Sequence, residues 1–249
     1  MFILSFMKKS LVLTVVTLLG LFVLVFSGTS VYADESTDGE SRDPAKAESP
    51  KAESPKAETF TGEQLTLKKF MEELFEDSKK VNESGAPGKK ARNTIESAVN
   101  WTEVAKICLG GPKAWSAQNS KHRGEFSTLL RDIIALTAYS RMGDFWNGTS
   151  YAIKKIDVKG SDATVTTTFK ATDDDYSLEY YLSKSGRHWK INDLSFDDIK
   201  YSDNIREQIQ SFLKEKNFSV LLTKLRKRRA DLEADDKGKK KANSEQRPS

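Results

Sequence analysis

From Leu65 onward the apolar positions recur at helical spacing, and the chain can be divided on that rhythm. Leu67, Phe70, Met71, Leu74 and Phe75 share one face of a helix predicted over residues 65–81, which Gly85-Ala86-Pro87-Gly88 then breaks. Ile95, Val99, Val104 and Ile107 mark a second helical region over 92–109, stopped by Gly110-Gly111-Pro112. Trp115 opens the next segment. Asn119 or Ser120 caps a long helix reaching about Met142, with Phe126, Leu129, Leu130, Ile133, Ile134 and Ala138 on its apolar face. After Gly143 the period drops to two. Residues 151–158, 163–170, 176–183 and 188–194 are β-branched or aromatic runs separated by polar turns, the pattern of a four-stranded antiparallel meander. Two amphipathic helices close the pattern. Ile205, Ile209, Phe212 and Leu213 stripe the first and Val220, Leu221, Leu222 and Leu225 the second, on either side of Lys216-Asn217-Phe218-Ser219. Helices, then a sheet, then helices predict an α+β domain, not a βαβ array.

Both ends lack this texture. Lys8 and Lys9 precede an apolar run over residues 11–26, followed by small residues and Val31-Tyr32-Ala33, which reads as a secretory signal peptide over 1–33. The run is shorter than the roughly 20 residues of a membrane span, so cleavage and export to the periplasm are expected; an uncut leader would leave the chain tethered to the inner membrane. Residues 34–60 repeat KAESP at Lys46 and Lys51 and KAET at Lys56, with almost no large apolar side chain, and predict a disordered linker. The folded domain is expected over 61–232 and a disordered basic tail over 233–249.

Composition narrows the chemistry. The 40 basic and 36 acidic residues of the chain become 38 and 36 once the two leader lysines are removed, too even a balance to point to nucleic acid. A single-strand platform of Tyr180, Tyr181 and Trp189 is set aside on the same ground. Positive charge gathers instead at Arg226, Lys227, Arg228 and Arg229 and at Lys237, Lys239, Lys240 and Lys241, where a solvated end is the simpler reading and contact with anionic lipid heads the alternative. Cys108 is the only cysteine, so no intrachain disulfide forms, and its apolar helical setting suits a buried inert thiol. His122 and His188 are the only histidines, too few for a zinc site or a serine-type triad. Asp173-Asp174-Asp175 lacks the spacing and glycine of a calcium loop and reads as a solvated turn. Asp193, Asp197 and Asp198 suit turn and capping work better than acid-base catalysis, and no nucleotide-binding or hydrolase motif occurs. No catalytic residue, no metal site and no cofactor are therefore expected. The large side chains on helices that face one meander leave two possibilities open, a filled core or a cavity.

Two stretches carry a resemblance. SAVNWTEVAKICLGGPKAWSAQNSKHRGEFSTLLRDIIALTAYSRMGDF, and later HWKINDLSFDDIKYSDNIREQIQSFLKEKNFSVLLTKL, resemble the MlaC or toluene-tolerance family of periplasmic phospholipid-binding proteins in the order of an aromatic, a Leu-Gly, a Trp, an Arg-x-x-Phe, a long helix ending near a tyrosine, a Trp strand and an Arg-bearing helix. The likeness covers about residues 65–232. It implies a curved sheet and helices, the two terminal ones included, that enclose an apolar pocket for acyl chains. It also implies a monomeric carrier that catalyses nothing, binds no nucleic acid and holds phospholipid as cargo. Such a carrier passes lipid between an outer-membrane lipoprotein complex and an inner-membrane ABC transporter with an MCE-domain protein. Pocket roles carry over to Trp101, Leu109, Trp115, Phe126, Leu130, Ile133, Ile134 and Tyr139 among the helices. In the sheet and closing helices they carry over to Tyr180, Leu182, Trp189, Ile205, Ile209, Phe212 and Leu221. Arg206 matches the family's arginine, with head-group and structural hydrogen bonding equally open. The chain departs from the family at Asp198, in place of a glycine, at Ile205, in place of a tyrosine, and in the KAESP spacer and basic tail. The alternative expectation is a non-enzymatic envelope interaction module of the same architecture with a filled core; a hydrolase using Asp193, Asp197 or Asp198 ranks last.

Overall fold

The structure, a computed structural model, describes residues 60–171 and 175–245. The leader, the KAESP linker, and Asp173 and Asp174 lie outside the described residues. Among those described, seven helices surround one antiparallel sheet. The first helix, α1 (Glu63–Ser78), buries Leu67, Met71, Leu74 and Phe75, the stripe predicted from their spacing. The expected second helical region is two helices, α2 (Ala86–Ala98) and α3 (Trp101–Cys108). Pro87 sits in the first turn of α2, where its missing N–H costs nothing, so the Gly85-Ala86-Pro87-Gly88 segment starts a helix, whereas α1 has already ended at Ser78 instead of residue 81. The division at Val99 and Asn100 has a tertiary cause. Val99 forms a parallel bridge to Ile191, and the Asn100 amide donates to the Ile191 carbonyl at 2.8 Å. The Asn100 side chain then accepts from the Glu103 amide and caps α3.

A tight corner follows. Gly110 (φ 107°) and Gly111 (φ 90°) lie in the left-handed region that favours glycine, and α4 (Pro112–Ser116) begins on the other side. The 27-residue α5 (Ser120–Trp146) is capped by Asn119, whose Oδ1 accepts from the His122 amide at 2.8 Å. It runs past Met142, because Phe145 and Trp146 on its last turn are held in an aromatic cluster with Phe75, Tyr151 and Phe169.

The sheet is the expected meander with one addition. Strands β1 (Ser150–Lys159), β2 (Asp162–Lys170), β3 (Asp175–Ser185) and β4 (His188–Phe196) pair in sequence order, and a fifth, two-residue strand, β5 (Ile199–Lys200), pairs antiparallel with β4. Asp197 (φ 48°) and Asp198 (φ 62°) form the two-residue turn between β4 and β5. This explains why an aspartate can stand where the family has glycine: a short side chain that bonds its own backbone is among the few that tolerate left-handed φ.

Two helices close the chain, α6 (Tyr201–Glu215) and α7 (Phe218–Glu245). The tail expected to be disordered from residue 233 is instead helical as far as Glu245. Its Lys, Glu and Ala content favours helix, and Arg229 pairs with Glu233 one turn on. Arg226 donates to Glu125 at 2.6 Å and Arg229 to Asp132 at 3.3 Å, so two of the basic residues tie α7 to α5. Among the described residues no helix is long and apolar enough to cross a membrane.

Two apolar clusters result. In one, α3, α5, α6 and α7 pack Cys108, Leu109, Phe126, Leu130, Ile205, Ile209 and Leu221 against each other. In the other, α1 and the sheet bury Leu67, Met71, Phe75, Val165, Phe169, Leu182 and Trp189. The long α5 belongs to both, its first half in the helical cluster and its last turn in the sheet cluster.

Candidate functional site

Where α5 passes from one cluster to the other, a cavity of about 300 Å³ opens between it and the sheet. One face of α5 forms a wall: Ile134, Thr137, Ala138, Arg141, Met142, Phe145 and Trp146 advance in alternating steps of three and one, the spacing of a helical stripe. Leu74, Phe75 and Ser78 of α1 and Ile95 and Val99 at α2 face it from the side. Phe169, Leu178, Tyr180, Ile191 and Leu194 form the floor, and Tyr201 closes one end. The volume lies at the low end of the roughly 300–1,000 Å³ usual for ligand pockets.

The surface is apolar because its few hydroxyls are turned elsewhere. Ser78 donates to the Phe75 carbonyl at 2.7 Å and Thr137 to the Ile133 carbonyl at 2.8 Å. Burial pushes the Tyr180 and Tyr201 hydroxyls well above the ordinary tyrosine value, so both stay neutral. Arg141 is the one charged residue on the wall, and the Trp146 Nε1 is buried without a hydrogen-bond partner.

No acid-base pair faces this space. Asp193 accepts from the Ser202 hydroxyl and amide and from the Leu194 amide, which places it at the start of α6 as a cap. Burial raises its pKa, against the pull of those hydrogen bonds. Asp197 and Asp198 are spent on the hairpin turn. Burial likewise pushes the Cys108 thiol far up, leaving it protonated and inert. Among the described residues no three His, Cys, Asp or Glu side chains are grouped to hold a metal ion.

Residues 65–227 of the 249 match the family described as MlaC protein. The chain belongs to the MlaC family. Its fold is similar to that of a phospholipid-binding protein from Ralstonia solanacearum solved in complex with a phospholipid, with a TM-score of 0.56 at 18% identity over 68% of this chain and 97% of that one. No curated protein sequence matches the chain.

Of the positions the MlaC resemblance nominates, Ile134 and Tyr180 lie on the cavity wall. Leu109, Phe126, Leu130, Ile133, Ile205, Ile209 and Leu221 are packed into the helical cluster instead, and Leu182 and Trp189 into the sheet cluster. Trp115 and Phe212 cover the helical cluster from outside. Trp101 donates its indole N–H to the Glu96 carbonyl at 3.0 Å. Tyr139 is on α5 but not on the stripe that forms the wall, and its buried hydroxyl has no partner. Arg206 pairs with Asp203 at 2.9 Å on the surface of α6 and does not line the cavity. Among the described residues, the closing helices reach this cavity through Tyr201 alone. Sequence reasoning missed Phe75, Phe145, Trp146, Phe169, Leu178 and Ile191 as wall residues. The signal that could have found part of the wall is the continuation of the α5 stripe beyond Ala138, interrupted by one arginine.

Proposed function

We propose that this chain is a phospholipid carrier that shelters acyl chain in the cavity between α5 and the sheet and works without chemistry. The observation that carries the reading is the cavity itself, an apolar space in a chain of the MlaC family. Each methylene left in water costs about 0.8 kcal/mol, so a chain of ~14 carbons faces roughly 11 kcal/mol on leaving a bilayer unaided. Walls of aromatic and branched side chains offset most of that cost and release the lipid again, because no covalent bond fixes it. A filled-core interaction module would have no use for such a space. The structural similarity to a protein solved with phospholipid supports the choice of cargo.

On this reading the leader directs the chain to the periplasm, and the lipid passes between an outer-membrane lipoprotein complex and an inner-membrane ABC transporter with an MCE-domain subunit. Lipid extraction and native mass spectrometry of the purified full chain test the central claim. Phospholipid bound in fixed stoichiometry is the expected result; protein that stays lipid-free after exposure to phospholipid would refute it.

A further inference from the structure

Arg141 stands in an apolar stripe without a counter-charge among the described residues. Its neighbours along the α5 face are Thr137, Ala138, Met142 and Phe145, and it makes no hydrogen bond or ion pair with another described residue. The half-buried side chain lies along the wall of a partly open cavity, so its stem covers apolar surface while its guanidinium carries an unmatched positive charge. The other charges nearby are accounted for. Lys79 rests 5.3 Å over the Trp146 ring but is paired with Glu76 at 2.6 Å, and Asp144, one turn on from Arg141, is exposed and makes no ion pair with it. The cavity wall holds no carboxylate, and its tyrosines are neutral.

A lone guanidinium on the wall of an apolar cavity is the complement of an anionic head that carries oxygen acceptors. We propose that Arg141 receives the anionic head of the bound amphiphile, so that the cavity selects acyl chains bearing a negative head over uncharged lipids. The phosphodiester of a phospholipid and the carboxylate of a free fatty acid share this chemistry. The proposal rests on the carrier reading above and adds specificity to it. It also moves the head-group role away from Arg206, which Asp203 already satisfies.

The test is a competition. Delipidated full chain is incubated with equimolar dioleoylphosphatidylglycerol and dioleoylglycerol in detergent micelles, separated from them, and its lipid extracted and quantified. These two lipids carry the same tails and differ at the head. Wild type is expected to favour phosphatidylglycerol by about tenfold or more, as one charge-assisted contact would give. Arg141→Met is expected to bring the ratio close to one while still binding lipid, and Arg141→Lys, with the charge but not the fork, to fall between. Oleate as a third competitor separates the anion sources. Displacement of phosphatidylglycerol in wild type but not in Arg141→Met assigns the carboxylate as well, no displacement confines the site to phosphate, and either result supports it. An Arg141→Met or Arg141→Lys ratio equal to that of wild type overturns the proposal. Equal uptake of both lipids by wild type overturns it and leaves the carrier reading standing, whereas no uptake of either removes both.

Discussion

Leu130 and Ala138 stand about two turns apart on α5, the first enclosed by protein, the second facing the cavity. Their substitutions should therefore fail in opposite ways. Leu130→Ala opens a hole in the helical cluster and is expected to cost about 2–5 kcal/mol in chemical unfolding, with bound lipid per folded molecule unchanged. Ala138→Trp occupies the cavity and is expected to abolish lipid retention with little change in the unfolding midpoint. Asp193 gives a second expectation at this scale. Its folded pKa is raised by burial, so folding favours the protonated form. Its stabilising contribution is complete below the unfolded value near pH 3.9 and is lost as pH rises through the higher folded value. Asp193→Asn, measured by unfolding across that interval, should remove this fall and leave the rest of the pH profile in place. Why so few cavity residues were legible follows from the same pair. Periodicity tells which side of a helix is buried, but not whether protein or space lies opposite, and Leu130 and Ala138 belong to the same stripe.

Elements were easier to read than the wall they build. The four long strands follow their period-two runs, and β2 buries Ala163, Val165, Thr167 and Phe169 in strict alternation. Where the reading failed, a contact distant in sequence had intervened. The bridge of Val99 to Ile191 splits α2 from α3, and the aromatic cluster carries α5 four residues beyond Met142 in spite of Gly143. The α7 extension differs for another reason, since its charge-rich sequence reads as disorder although its residues are good helix formers. Gly110 shows how local and distant demands combine. It needs φ 107°, and a Cβ there would come within 2.7 Å of the Gln210 amide that donates to the Leu109 carbonyl. Gly110→Ala should lower stability by about 1–3 kcal/mol in thermal or chemical unfolding, and pairing it with Gln210→Ala should remove only the part due to crowding.

At the scale of the molecule, the order of helices, meander and helices was readable because each block changes the hydrophobic period. The cavity was not, because it arises where two clusters meet and belongs to neither block's own pattern. That meeting place also governs how the molecule can respond to a ligand. On the proposed carrier reading, lipid enters against the sheet, α1, α2 and the last turns of α5 and meets α6 at Tyr201, whereas α3, α7, the rest of α6 and the first half of α5 remain interlocked. Hydrogen exchange should reveal this asymmetry: loading with phospholipid is expected to slow exchange in β2, β3 and β4 and in residues 134–146, with little change in the buried amides of α7. Uniform slowing across both clusters would count against it.

The two-residue β5 leaves a further mark. By ending the meander in a stub turned by Asp197 and Asp198, the chain deprives its last edge of the length that another polypeptide would need to zip onto it. The molecule thereby offers strangers little backbone to grasp on that flank, and its sociability is left to its side chains.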